Sequence, residues 1–130
     1  VTPDQLDLVR ATVARIGEHP EFATRFYARL FEVAPATAPM FDDVDAQERK
    51  LSDELVAMVD LLGDLPRLDE RARELGRRHR EYGVRAGHYP VARDVMVATL
   101  HEVLGEAFGA DEEDAWRRGT MLITELMQAG

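Results

Sequence analysis

Apolar residues in this chain recur at intervals of three and four, and no stretch alternates apolar with polar. That pattern predicts helices throughout and no sheet. Thr2-Pro3-Asp4-Gln5 reads as a helix start, with threonine at the N-cap, proline in the first position and glutamine closing a capping box. Leu6, Val9, Val13 and Ile16 mark the buried stripe of that helix. Gly17 to Pro20 ends it and begins a second helix, in which Phe22, Phe26 and Leu30 share a face and Tyr27 lies beside them. Pro35 and Pro39 permit only a short helical turn before Met40-Phe41, and Asp42 to Asp45 is expected to be a loop. A third helix runs from Asp45 to Gly63, with Leu51, Leu55, Met58 or Val59, and Leu62 at helical spacing and Gln47 one turn ahead of Leu51. Gly63 to Pro66 interrupts the chain before a fourth helix, which Gly83 ends as a left-handed cap. Pro90 opens a long apolar helix through Val91, Val95, Met96, Leu100, Val103 and Leu104 that stops near Gly109 and should lie between other helices. Asp111 caps the last helix, whose inner face carries Trp116, Thr120, Ile123 and Met127. With no internal repeat or low-complexity tract, residues 1–130 form one all-α domain of about six substantial helices.

The fourth helix changes the picture. Leu68, Ala72, Leu75 and His79 follow one another at four, three and four, so an imidazole stands where a core-facing leucine is expected. Such a group needs a partner, because an unsatisfied buried polar group costs about 1–3 kcal/mol. Two partners suit it: a backbone carbonyl, which would make it a core histidine, or a metal such as the iron of a haem.

Composition removes other options. A net charge of −9, from 16 basic and 25 acidic residues, disfavours nucleic acid and anionic membrane surfaces as partners. The chain contains no cysteine, which excludes disulfides, thiolate metal sites and covalent haem attachment through C-x-x-C-H. Any haem is therefore held noncovalently. The N-terminal residues lack the layout of a signal peptide and no apolar run approaches the roughly 20 residues of a membrane span, so the cytoplasm is the expected location. No P-loop, G-x-G-x-x-G, G-x-S-x-G or H-E-x-x-H sequence occurs. The carboxylates of Asp111 to Asp114 suit helix capping and solvation, His19 and His88 fall in turns and are expected to be exposed, and His101 has no assigned role.

What remains is an ordered set: Phe26-Tyr27 with Leu30-Phe31, Met40-Phe41, Gln47, Leu51, Leu65-Pro66, Arg78-His79, Tyr89 and Trp116. The set resembles the bacterial globins, specifically the haem domain of flavohaemoglobins and the related single-domain bacterial haemoglobins. Phe41 follows Tyr27 by 14 residues and Gln47 precedes His79 by 32, which are that family's intervals, and the resemblance covers nearly the whole chain. It implies a globin fold around one haem b (iron protoporphyrin IX) with His79 as the iron ligand. It further implies Tyr27 over the distal face with Gln47, Phe41 packed on the haem plane, and Leu51 as the apolar distal residue. Phe26, Arg78, Val84, Tyr89 and Met96 would complete the surroundings of the cofactor, while Trp116 is read as packing.

The function implied is reversible binding of O2 and other diatomic ligands, NO and CO, with Tyr27 and Gln47 stabilising the ligand. The alternatives are a nitric oxide dioxygenase, in which the same two residues would serve catalysis, or a gas or redox sensor. No reductase segment follows the globin within these residues, so an enzyme would draw on a separate flavin reductase. A haem-free interaction module would require Tyr27 and His79 to be coincidental. Two departures from the family pattern stand out. The loop between Phe41 and Gln47 is some four residues shorter, which is expected to tilt the distal helix and shift Gln47. The family's last-helix glutamate, which with a tyrosine (here Tyr89) polarises the proximal histidine, has no counterpart in these residues. Glu125 comes about eight residues, or ~12 Å of helix, too early.

Overall fold

The Thr2 hydroxyl accepts from the Gln5 N–H while the Gln5 side chain accepts from the Thr2 N–H, so the capping box forms as read and sets α1 (Pro3–Ile16). The computed structural model describes residues 1–129. Five more α-helices follow: α2 (Glu21–Val33), α3 (Val44–Asp60), α4 (Leu65–Glu81), α5 (His88–Leu104) and α6 (Ala110–Gln128). Short 3-10 helices at Pro35–Met40 and Gly105–Ala107 join α2 to α3 and α5 to α6, and the described residues contain no strand. None of these helices is long and apolar enough to cross a membrane.

Several element boundaries differ from the sequence expectation, among them α3 ending at Asp60 rather than Gly63 and α5 starting at His88 rather than Pro90. The acidic segment is not a loop up to Asp45: Asp43 accepts the Ala46 N–H at 3.1 Å and starts α3 at Val44. A carboxylate is as good an N-cap as it is a loop residue. The fifth helix ends at Leu104 rather than near Gly109, because Gly105 takes φ +55° and turns the chain. The last helix is capped by Gly109 without a side-chain bond, leaving Asp111 in its first turn, where it still complements the helix dipole.

α6 packs on α1 and α4, α2 packs on α5, and α3 rests on α1 and α2. The crossing of α4 and α6 is close. A Cβ placed on Gly76 would lie 1.9 Å from the Met127 carbonyl oxygen, so only glycine allows this approach. Arg73 and Arg80 on α4 donate to the carbonyls of Ala129 and Met127, at 3.0 and 3.2 Å, and fasten the end of α6 there.

The buried residues fall into two clusters. The larger runs through Val9, Phe22, Leu68, Leu100, Phe108 and the fully enclosed Trp116, while a smaller one holds Phe26, Tyr27, Leu30 and Val95. Leu51 and Met96 pack against both clusters. α3 and α4 touch only lightly. At that seam Leu51, Leu55, Leu75 and Val84 remain half-buried. Each apolar side chain left in this state forgoes part of the roughly 1.5–3 kcal/mol that full burial would supply.

Candidate functional site

The end of α4 presents His79. Tyr82 is the C-cap and Gly83, at φ +94°, turns the chain back. The Val84 N–H then reaches the His79 carbonyl at 3.0 Å and the Gly83 N–H reaches that of Arg80 at 3.0 Å, the paired bonds of a Schellman motif. The backbone of His79 is thus fixed from behind by the residue that follows the cap. In front, its Nδ1 lies 2.9 Å from the Leu75 carbonyl oxygen. A carbonyl can only accept, so Nδ1 carries the proton and the neutral ring keeps its Nε2 lone pair unused. Burial holds the imidazole below its ordinary pKa, the carbonyl partly opposing it. The ring stays neutral, as metal ligation requires. Tyr89, in the first turn of α5, lies nearly parallel to it at 6.3 Å between centroids and 18° between planes.

Tyr27 sits in the second cluster, 4% exposed. Phe26 and Phe41 meet its ring edge-on at 5.0 and 5.2 Å, and Phe31 lies at 6.0 Å. Burial pushes the phenol up to about 12, against a smaller opposing effect of the nearby Gln47 side chain; the Glu48 charge adds a lesser rise. Gln47, in the first turn of α3 and half-buried, lies near the Tyr27 phenol. Leu51 and Met96 stand between this cluster and the main core. Arg78 turns outward, 49% exposed, 3.9 Å from Glu54 and 4.0 Å from Glu74. Trp116 belongs to the main core, and its indole N–H has no partner.

The donor set bears directly on what this site could hold. Among the described residues no group of three or more His, Cys, Asp or Glu could hold a metal ion. His79 alone offers one lone pair, which suits a metal that brings its other ligands in a flat apolar ring. The half-buried side chains at the α3–α4 seam suit the faces of such a ring, and Arg78 at its edge suits an anionic substituent. The residues present fit a haem. Two surface hollows, of about 240 and 520 Å³, are lined by neither His79 nor Tyr27: one lies between α2 and α5 around Val33 and Val91, the other on the charged outer face of α4.

Two acids near these residues are not among those the sequence singled out. Glu54 bonds Arg71 across the seam at 2.9 Å, and Glu48 has a buried carboxylate oxygen with no hydrogen-bond partner. Spacing could have found Glu48, because Val44, Glu48, Leu51 and Leu55 repeat at four, three and four just as the His79 stripe does. His19 and His88 are half-buried rather than exposed: His19 meets Glu21 at 3.0 Å, and His88 begins α5 and accepts the Arg85 N–H at 2.8 Å.

Residues 24–126 match the sequence model of the family described as Globin. A flavohemoprotein of Bacillus subtilis is 25% identical over 125 residues, covering 92% of this chain and 31% of that protein. A flavohemoprotein of Chromobacterium violaceum is 30% identical over 125 residues, with the same two coverages. The chain thus spans about a third of the length of the flavohemoproteins it matches. An uncharacterized globin-like protein of Aquifex aeolicus is 26% identical over 129 residues, covering 98% of this chain and 91% of that one. Among solved structures, an engineered carbene transferase of Rhodothermus marinus, described as a candidate nitric oxide dioxygenase, superposes with a TM-score of 0.87 at 26% identity. That superposition covers 98% of this chain and 90% of the other.

Proposed function

Because this chain belongs to the globin family, we propose that it holds one haem b noncovalently, with His79 on the iron, and binds O2, NO and CO reversibly in the cytoplasm. The observation that carries the reading is the Nδ1 bond of His79 to the Leu75 carbonyl, which orients the ring and leaves Nε2 unused. A bound haem supplies a ferrous iron with one coordination position open to a diatomic ligand.

The protein decides what happens at that position. Leu75 gives His79 a neutral acceptor rather than a carboxylate, so the imidazole keeps its proton and donates little extra electron density. That favours reversible binding over cleavage of peroxide. On the other side, the buried phenol of Tyr27 keeps its proton and would offer it to a ligand carrying partial negative charge, with the Gln47 amide nearby. Phe26, Phe41, Leu51 and Met96 keep water away from that proton, which strengthens its hydrogen bond. Arg78 would hold a carboxylate of the haem edge, and Val84 and Tyr89 would steady His79 from behind and beside.

The solved neighbour described as a candidate nitric oxide dioxygenase supplies a second reading, nitric oxide dioxygenation, in which NO and O2 with one electron yield nitrate. Tyr27 and Gln47 would then hold the O2-derived ligand while NO arrives, and a separate flavin reductase would return the electron. One experiment separates the two. The oxygenated protein is mixed with NO and nitrate is counted per haem over time, with and without a flavin reductase. A carrier stops near one nitrate per haem in both cases, whereas a dioxygenase continues when the reductase is present. Failure of the purified chain to take up haem would overturn both readings.

A further inference from the structure

Glu48 occupies an inward position of α3. Val44, four residues before it, and Leu51, three after it, both pack on the cluster of Phe26, Tyr27, Leu30 and Val95. The side chain between them faces the same cluster, and its Oε1 is buried without a hydrogen-bond partner. The residue as a whole is half-buried, so the carboxylate turns one unpartnered oxygen toward the cluster. Close to it, Gln47 is neutral and Tyr27 can carry charge only by losing its proton. No cation of the salt-bridge network reaches Glu48: among the described residues the carboxylates paired with Arg or His are others, such as Glu54, Glu102 and Glu113.

We propose that Glu48 is a positioning residue that gives the distal pocket a negative potential, so that the pocket rejects anions and keeps Tyr27 as a neutral hydrogen-bond donor. Neutral O2, CO and NO enter at no electrostatic cost. Azide, cyanide and the phenolate of Tyr27 itself are disfavoured as ligands of ferric iron, for which tyrosinate is a competent ligand. The rise of the Tyr27 phenol is in the same direction. The ligand half of this inference rests on the haem-binding reading, and the phenol half does not.

The test compares wild type, Glu48→Gln, Glu48→Leu and, as a control for lost surface charge, Glu18→Gln, a substitution at an exposed acid on the turn after α1. In the haem-loaded proteins, azide affinity of the ferric form is set against CO affinity of the ferrous form. Both Glu48 substitutions should tighten azide by roughly several-fold, as removal of one nearby unit charge does at an effective dielectric near 20. CO affinity should not move, and Glu18→Gln should behave as wild type. In the haem-free proteins, fluorinated tyrosine is incorporated and ionisation of position 27 is followed by fluorine NMR, its resonance identified by loss in Tyr27→Phe. Glu48→Gln should lower that ionisation by a fraction of a pH unit, the carboxylate being a smaller influence on the phenol than burial. Equal changes in azide and CO, an unchanged azide affinity, or an unmoved Tyr27 ionisation would each overturn the proposal. If wild type takes up no haem, the haem reading fails, and the fluorotyrosine result alone decides: a downward shift upholds the role of Glu48 and no shift overturns it.

Discussion

For His79 the two readings left open by its spacing describe the two nitrogens of one ring: Nδ1 is satisfied by the Leu75 carbonyl, and Nε2 remains for iron. Tyr27 is where single-residue chemistry is most readily measured. A hydrogen bond to a partly charged ligand contributes about 1–3 kcal/mol, so Tyr27→Phe should speed O2 dissociation by roughly 5- to 150-fold in flash or stopped-flow kinetics. Gln47→Ala should do less, since Gln47 acts on the phenol rather than in its place; a larger effect from Gln47 would reverse the assignment. The same phenol makes a pH prediction. Its folded-state pKa is raised from 10.0 to about 12, so the folded protein holds a proton that the unfolded chain gives up first. The stability it contributes is intact below pH 10 and falls as pH rises toward 12, by roughly 3 kcal/mol in all. Tyr27→Phe should flatten that alkaline loss in denaturant titrations at successive pH values, and an identical slope would contradict the buried phenol. Tyr27 could be read in the sequence because Phe26 and Leu30 fix the register of its helix. Glu48 is easily passed over: its stripe has helical spacing, yet it begins at Val44 inside an acidic segment that resembles a loop, and without Val44 an isolated glutamate reads as a solvent-facing residue.

Among the elements, α4 bears the most consequence, because it holds His79 at one end and meets α6 along its length. Gly76→Ala would drive a methyl group into the Met127 backbone, an overpacking that helices relieve only by moving apart. It should cost about 2–4 kcal/mol, read as a fall in the denaturant midpoint of the haem-free protein, with weaker haem retention following from displacement of α4. An unchanged midpoint would mean that the crossing is looser than described. Gly83→Ala should cost less, about 1 kcal/mol, by straining the left-handed residue behind His79. The number and order of the helices were legible from apolar periodicity, and Gly83 as a cap was legible because only glycine takes that conformation freely. Gly76 was not, since a glycine inside a helical stretch looks merely unfavourable until the helix packed against it is known. The helix ends at Leu104 and Gly109 were likewise settled by the geometry of Gly105 and by a cap made without a side chain.

At the scale of the whole molecule, the two clusters of buried side chains and the lightly touching α3 and α4 form a fold that is complete around a seam rather than through it. Filling that seam should stabilise the chain by mass action, so the melting temperature should rise as haem is added and stop rising at one equivalent. A saturation at two equivalents or no rise would contradict a single site. How far the relatives' chemistry carries over depends on an electron source, since the chain corresponds to about a third of the flavohemoproteins it matches. The central claim is narrower: one histidine, held by one carbonyl, on one iron. Its most direct test is the iron–histidine stretch of the ferrous, ligand-free protein in resonance Raman spectra of wild type and His79→Gly, the latter with and without added imidazole. The account predicts a band in wild type at the low frequency of a neutral imidazole, its loss in His79→Gly, and its return with imidazole. A band that survives in His79→Gly without imidazole would place another residue on the iron and contradict the account.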